Sequence, residues 1–238
     1  MKKLLVIGLT LIAFFSKAQD AAPRKVSYSQ RVYGGFIFPQ YQNNPDLTTG
    51  TTASFSFNLG YRRTYTFFGS SFDVGLEYIN ENLSFNSYYH ADGYSPLFGA
   101  PFPFQHALNI NEFQLPVLFR KSFGREDKKR AIPYITFGWA LRYFVYSSTS
   151  ITDTENGVQV YDGKTNITFE YPFFSYHLGA LLQGALGLQL NNVRTKKGLF
   201  FELGYKLALS RFNYIGNNNS NELLIKDSNF TFNIGKKF

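Results

Sequence analysis

The chain has 238 residues, a formal net charge of +8, no cysteine and an aromatic content of 19%. Without thiols there are no disulfides, no thiolate metal sites and no lipid-anchored N-terminal cysteine. The aromatic richness, with only 17% charged residues, favours strands over helices. The first element is a leader. Lys2 and Lys3 precede a 12-residue apolar run from Leu4 to Phe15, and "SKAQ" then offers a small-residue cleavage site after Ala18. This three-part pattern is a secretory signal, too short to span a bilayer. It divides the chain into a signal peptide at 1–18 and one domain at 19–238. Removing Lys2, Lys3 and Lys17 leaves 24 − 3 = 21 bases against 16 acids, so the mature chain carries +5. After Ala18 no apolar run reaches membrane-helix length, so an exported chain is either soluble or inserted as strands.

Period-two alternation then recurs along the chain. The first strand, near 28–38, places Val32, Phe36 and Phe38 on one face and Arg31, Tyr33 and Gly35 on the other. In 54–62, Phe55, Phe57, Leu59 and Tyr61 oppose Ser56, Asn58, Gly60 and Arg62. In 71–78, Phe72, Val74, Leu76 and Tyr78 oppose Asp73, Gly75 and Glu77. Phe113, Leu115, Val117 and Phe119 oppose Glu112, Gln114, Pro116, Leu118 and Arg120 in 112–120. The next strand, 135–145, sets Ile135, Phe137, Trp139, Leu141, Tyr143 and Val145 against Thr136, Gly138, Ala140 and Arg142. Residues 176–190 and 199–209 repeat the pattern, the latter with Glu202, Gly204 and Lys206 on its polar face. "FTFNIGKKF" closes the chain with Phe230, Phe232, Ile234 and Phe238 on one face. Long connections (39–51, 86–107, 147–172, 212–226) alternate with short ones (63–69, 121–131, 191–198). Asn156-Gly157 predicts a hairpin projecting within the third long connection.

The faces decide the solvent. A soluble barrel holds apolar residues inside, whereas a membrane barrel turns them outward around a polar lumen. Here one face is almost purely apolar and the other mixes Gly, Ser, Gln and full charges. The long and short connections alternate as they do in a barrel with one rim outside and one in the periplasm. Tyr61, Tyr78, Tyr143, Phe119 and Tyr205 lie where an interfacial aromatic belt would form. The expected fold is all-β: an eight-stranded antiparallel up-and-down transmembrane β-barrel in the outer membrane, with both termini in the periplasm.

The "NEFQLPVLFRKSFG" strand with Leu115-Pro116, "PYITFGWALRY" at 133–143, the signal ending Ala18-Gln19 and the terminal "NIGKKF" carry a resemblance. The chain resembles the PorT-like outer-membrane barrel proteins of Bacteroidota, similar in architecture to OmpA and OmpX barrels. The resemblance implies a porin-like cell-envelope barrel and a link to type IX protein secretion. It also implies that Phe230, Phe232, Ile234 and Phe238 form the C-terminal assembly signal, read by the barrel assembly machinery during insertion. Lys236 departs from that pattern on the lipid-facing register, where its amine can snorkel to the headgroups.

Arg31, Asp73, Glu77, Glu112, Arg142, Glu202 and Lys206 are the predicted lumen network. An internal salt-bridge plug is favoured over an ion or proton path, because eight strands leave an interior that side chains fill. His90, His106 and His177 could approach one another at the outer rim, but no spacing among them fixes metal ligands. No Ser–His pair stands out for nucleophilic catalysis. No catalytic residue, metal site or cofactor is assigned. Leu97, Phe98, Phe102 and Phe104, in the Pro-rich loop 93–106, are expected to cap the barrel mouth or to form a partner-binding patch. Arg62, Arg63, Lys121, Arg125, Lys128, Lys129, Arg130, Arg194, Lys196, Lys197, Lys236 and Lys237 map to the short-turn rim. There they would meet outer-membrane lipid headgroups or a periplasmic protein partner. Nucleic-acid binding has no support, since these bases sit in turns expected to face the periplasm. The expected role is non-enzymatic, structural or interaction-based and accessory to secretion. A lipid-modifying enzyme at the outer rim and a narrow solute channel are the alternatives.

Overall fold

The computed structural model describes residues 27–42, 48–67, 70–87, 89–90, 93–94, 104–124, 130–164, 166–169, 178–192, 194–195, 197–209, 212–215 and 222–238. The leader lies outside them. Eight long strands form the wall: β1 (Ser27–Gln42), β2 (Ser56–Phe67), β3 (Ser70–Ser87), β4 (Phe104–Ser122), β5 (Ala131–Asp153), β6 (Leu178–Asn191), β7 (Gly198–Ala208) and β8 (Glu222–Lys237). Each pairs antiparallel with the next, and β8 returns to β1, from Arg31↔Lys237 to Gln42↔Lys226. The chain end is therefore the seam of a closed barrel, with hydrogen bonds on both sides of β8.

The register fixes the barrel's geometry. Following partners from Gln30 through Arg63, Val74, Val117, Trp139, Leu182, Leu207 and Ser228 returns to Gln40. The stagger is thus 40 − 30 = 10 residues for eight strands. With ordinary rise and spacing this tilts the strands by about 40°. The ladder between β3 and β4 is interrupted opposite Pro116: pairing jumps from Val74↔Val117 to Glu77↔Gln114. Proline has no N–H to give to a ladder.

In the lower two-thirds of the barrel the alternation runs apolar outward and polar inward. Val32, Phe36, Leu59, Leu76, Leu115, Phe137, Leu186 and Leu203 stand exposed on the outside, while the charged residues opposite them are buried. Towards the loop end the pattern inverts on β3 and β4. Beyond Tyr78 and Phe113 the outward residues become Asn80, Asn82, Ser84, Asn109 and Asn111, while Ile79, Leu83, Phe85, Leu108 and Ile110 turn inward and are buried. A wall segment that leaves lipid for water needs this inversion. A bulge lies where β4 and β5 cross the boundary: Asn111 pairs Tyr146 and Glu112 pairs Phe144. The extra residue there leaves Val145 and Tyr146 both exposed.

The long connections contain more strand than the alternation suggests. β3 runs to Ser87 and β5 to Asp153, well past the predicted 71–78 and 135–145. Thr48–Ala53 continues the line of β2 along β3. Val158–Lys164 folds back on β5 through the Asn156-Gly157 turn, with Gly157 at φ +64°. Asn166–Phe169 pairs Phe212–Ile215, which pairs the start of β8. Two assignments to the basic rim are corrected. Arg62 and Lys237 point into the barrel and are 4% and 2% exposed, because each sits one residue off the outward register of Tyr61 or Lys236.

Candidate functional site: the polar lumen

The charged side chains that the alternation turns inward form a continuous column. At the turn end, Arg31 on β1 and Arg120 on β4 both donate to Gln189 Oε1, at 2.6 and 2.9 Å. Their Nη1 atoms lie 3.9 and 3.8 Å from Asp73 Oδ2. The Arg120 guanidinium lies over the Tyr134 ring, 3.5 Å from its centroid, and Arg31 lies 5.3 Å from the same ring and 5.2 Å from Phe200. Gln189 donates onward to Asn191 at 2.7 Å.

Midway up, Glu77 is the hub. It accepts from Lys206 Nζ at 2.7 Å, Asn58 Nδ2 at 2.5 Å and the Tyr33 hydroxyl at 3.1 Å, with Arg62 at 3.8 Å. Arg62 Nη1 crosses the barrel to Glu202 at 2.9 Å, and the Tyr134 hydroxyl donates to the other Glu202 oxygen at 3.0 Å. Lys206 also reaches Gln114 Oε1 at 2.9 Å, and Gln114 donates to Glu112 at 2.5 Å, which links the hub to the tier above. There Arg142 is held between two carboxylates. Its Nε donates to Glu112 at 2.8 Å, and its Nη1 donates to both Asp227 oxygens at 2.7 and 2.8 Å. Asn229 donates to Glu81 at 2.5 Å.

Among the described residues, the fully buried charges balance. Arg31, Arg62, Arg120, Arg142, Lys206 and Lys237 stand against Asp73, Glu77, Glu81, Glu112, Glu202 and Asp227. Taking this many charges out of water is tolerable only if each finds an opposite charge and hydrogen bonds, as most here do. The cavity among Arg62, Thr136, Gln183, Glu202 and Lys206 holds only about 10 Å³, roughly the room of one water. Thr136 Oγ1 and Gln183 Nε2 lack protein partners on that cavity wall, so a single water there would satisfy both. Above the column, Ile79, Leu83, Phe85, Leu108 and Ile110 roof the β3–β4 side.

All seven predicted lumen residues lie in this column. The prediction omitted Arg62, Arg120, Lys237, Glu81 and Asp227, along with the neutral bridges Gln114 and Gln189. Arg62, Arg120 and Gln114 already stood on the polar face. Glu81 and Asp227 become visible if the alternation is continued a turn past Tyr78 and back from Phe230. Phe230, Phe232, Ile234 and Phe238 stand exposed on the outer face of β8. His106 is not at a rim surface: it is 1% exposed and stacked on Phe85, with centroids 4.9 Å apart and planes at 4°. His177 lies outside the described residues, and of His90 only the strand placement is described. Among the described residues no group of three His, Asp or Glu side chains is arranged to hold a metal ion. Leu97, Phe98 and Phe102 lie outside the described residues, whereas Phe104 is buried against Ile151 with Val160 and Tyr161 packed beside it.

No protein-family model matches the chain, and no curated protein matches it in sequence. Among solved structures it is similar to the outer membrane protein OprG of Pseudomonas aeruginosa, with a TM-score of 0.54 and 13% identity over 89% of this chain and 96% of that one. Matches to the Neisserial surface protein NspA (TM-score 0.39, 10% identity, 90% and 100% covered) and to Ail, the attachment invasion locus protein of Yersinia pestis (0.39, 11%, 88% and 98%), are weaker. The likeness to OprG bears on the fold, a small all-β barrel closed on itself.

Proposed function

We propose that the chain is a non-enzymatic outer-membrane barrel with a closed lumen, whose work is done by its surfaces. The observation that carries this reading is the balanced column of six bases and six acids, cross-linked from wall to wall, with about 10 Å³ left beside Glu202. An eight-stranded interior is filled by side chains, and a filled interior conducts nothing. The exposed apolar wall from Val32 to Phe232 is a surface for lipid rather than water, and OprG, of the same fold, is an outer membrane protein. In this reading the short turns and both termini face the periplasm, the long loops face outside, and the signal peptide is removed near Ala18. Single-channel recording in planar bilayers tests it. The expected trace has no stable open state, and a stable, large open state overturns the proposal.

The resemblance to PorT-like barrels adds type IX secretion as the process such a barrel would serve. The exposed bases Lys121, Arg130, Arg194, Lys197 and Lys236 at the turn end supply a surface for anionic phospholipid or for an acidic periplasmic partner. The barrel assembly machinery would read the β8 end at Phe238. Deleting the gene and assaying type IX cargo in the medium tests the secretion link; unchanged secretion removes it. A pull-down that loses no partner after neutralising 128–130 and 194–197 removes protein docking at the rim.

A further inference from the structure

Just past the aromatic edge of the wall, four asparagines on the outer face close a ring. Asn80 is registered opposite Asn111, and Asn82 opposite Asn109. Asn111 Nδ2 donates to Asn109 at 2.6 Å, and Asn109 to Asn82 at 2.5 Å. Asn82 donates to Asn80 at 3.0 Å, and Asn80 back to Asn111 at 2.9 Å. The Tyr78 hydroxyl also donates to Asn111, and Asn82 Nδ2 donates to the Phe55 carbonyl at 2.7 Å. The ring is seated on a line of rings: Phe57 lies 6.2 Å from Tyr78, and Tyr78 lies 5.7 Å from Phe113.

A carboxamide has two N–H donors and two acceptor lone pairs, so four asparagines hold eight of each. The bonds above use five donors and five acceptors. Three N–H groups and three lone pairs then remain for the half-buried outer surface. On the two strands that carry the ring, no outward residue from 78 to 86 or from 105 to 113 is charged. Across β5, Lys164 stands with its Nζ 5.8 Å from the ring centroid of Tyr146, the registered partner of Asn111. A preorganised array of neutral donors and acceptors beside aromatic edges matches hydroxyl groups, each of which is one donor and two acceptors. The ring itself contributes no charge.

We propose that the asparagine ring binds sugar hydroxyl groups of the outer-leaflet glycolipid, seating the barrel against its surrounding lipid. The position fits that partner, since the ring begins where the apolar wall ends. This inference rests on the reading that the loop end faces outside.

The test uses the barrel in phospholipid nanodiscs free of glycolipid, titrated with the soluble core oligosaccharide released from rough lipopolysaccharide. Asparagine side-chain amide resonances report binding, and inorganic phosphate is titrated in parallel. The oligosaccharide is expected to shift those resonances and phosphate to leave them unmoved. Asn80→Ala with Asn109→Ala is expected to weaken binding at least tenfold. Should that pair fail to fold, Asn109→Ser alone is expected to weaken it severalfold. No shift with oligosaccharide, shifts with phosphate alone, or unchanged affinity in the folded variants would overturn the proposal and leave the ring as a clasp between β3 and β4. Heat-modifiable migration of the same samples reports the folded barrel, and cleavage of the 147–172 connection by protease added to whole cells reports that the loop end faces outside, so failure of the sugar site and failure of the outer-membrane reading are told apart.

Discussion

The Tyr134 ring lies across Gly187, its registered partner on β6. A Cβ at residue 187 would come within 2.1 Å of the ring's Cζ. Tyr33 over Gly60 and Phe200 over Gly235 repeat the arrangement at two other seams of the wall. The gap left by each glycine lets an inward aromatic lie flat along the wall. For Tyr134 this geometry presents one face to Arg120 and the hydroxyl to Glu202. Gly187→Ala therefore should displace the ring and disturb both tiers, at about 1–3 kcal/mol as overpacking does. Guanidinium titration of the micelle-folded barrel measures it. Tyr134→Ala should cost less in that background than in the parent, giving a coupling clearly different from zero.

Arg142 joins Glu112 on β4 to Asp227 on β8, across the barrel from one another. Arg142→Met would leave two buried carboxylates facing each other with nothing between them. The expected loss is about 3–5 kcal/mol, the usual result of breaking a buried ion pair from one side. Arg142→Met with Glu112→Gln and Asp227→Asn should restore much of it, because the two carboxylates that Arg142 holds apart are then neutral. A triple variant as unstable as the single one would count against the charge argument.

How much of this was legible beforehand follows from the period of a strand. Two-residue alternation is strict where one face meets lipid, so the inward set from Arg31 to Lys206 and the outward set on β8 could be read directly. The reading stopped where the environment changes. Past Tyr78 the apolar and polar faces exchange, and a rule that takes apolar as outward loses the strand there, so Glu81, Leu83 and Phe85 lie beyond the predicted strand at 71–78. The partners inside the column were illegible for another reason. Which acid meets which base depends on the ten-residue stagger, and the stagger is a property of the closed ring rather than of any one strand.

Lys236 and Lys237 exchange the roles that their neighbourhood suggests. Lys236 is on the outer face, its Nζ 5.2 Å from the Phe238 ring centroid, and can reach headgroups. Lys237 is buried at 2% exposure inside the seam between β1 and β7. Lys236→Met should change stability by no more than about 0.5 kcal/mol, the usual range for a surface site. Lys237→Met should cost about 1–3 kcal/mol, since it removes one of the six buried bases that balance the six buried acids. Folding yields into phospholipid vesicles would rank the pair, and the reverse order would mean that the β8 register is off by one.

Arg62 and Glu202 span the barrel at mid-height, and with Tyr33 and Tyr134 they close its cross-section. Replacing the pair together, Arg62→Ser with Glu202→Ser, keeps the column neutral and removes the longest side chains from that level. Water should enter the space, and the one-water cavity beside Gln183 should merge with it. The expected result is a small, noisy conductance in planar bilayers where the parent barrel shows none. Heat-modifiable migration should persist, because the strand ladders on both sides of β2 and β7 are untouched. Tyr33→Ala alone should open nothing, since Arg62 and Glu202 remain bridged. If the double variant is as silent as the parent while still folded, the closure lies elsewhere, in the Arg142 tier or the apolar roof of Leu83 and Phe85.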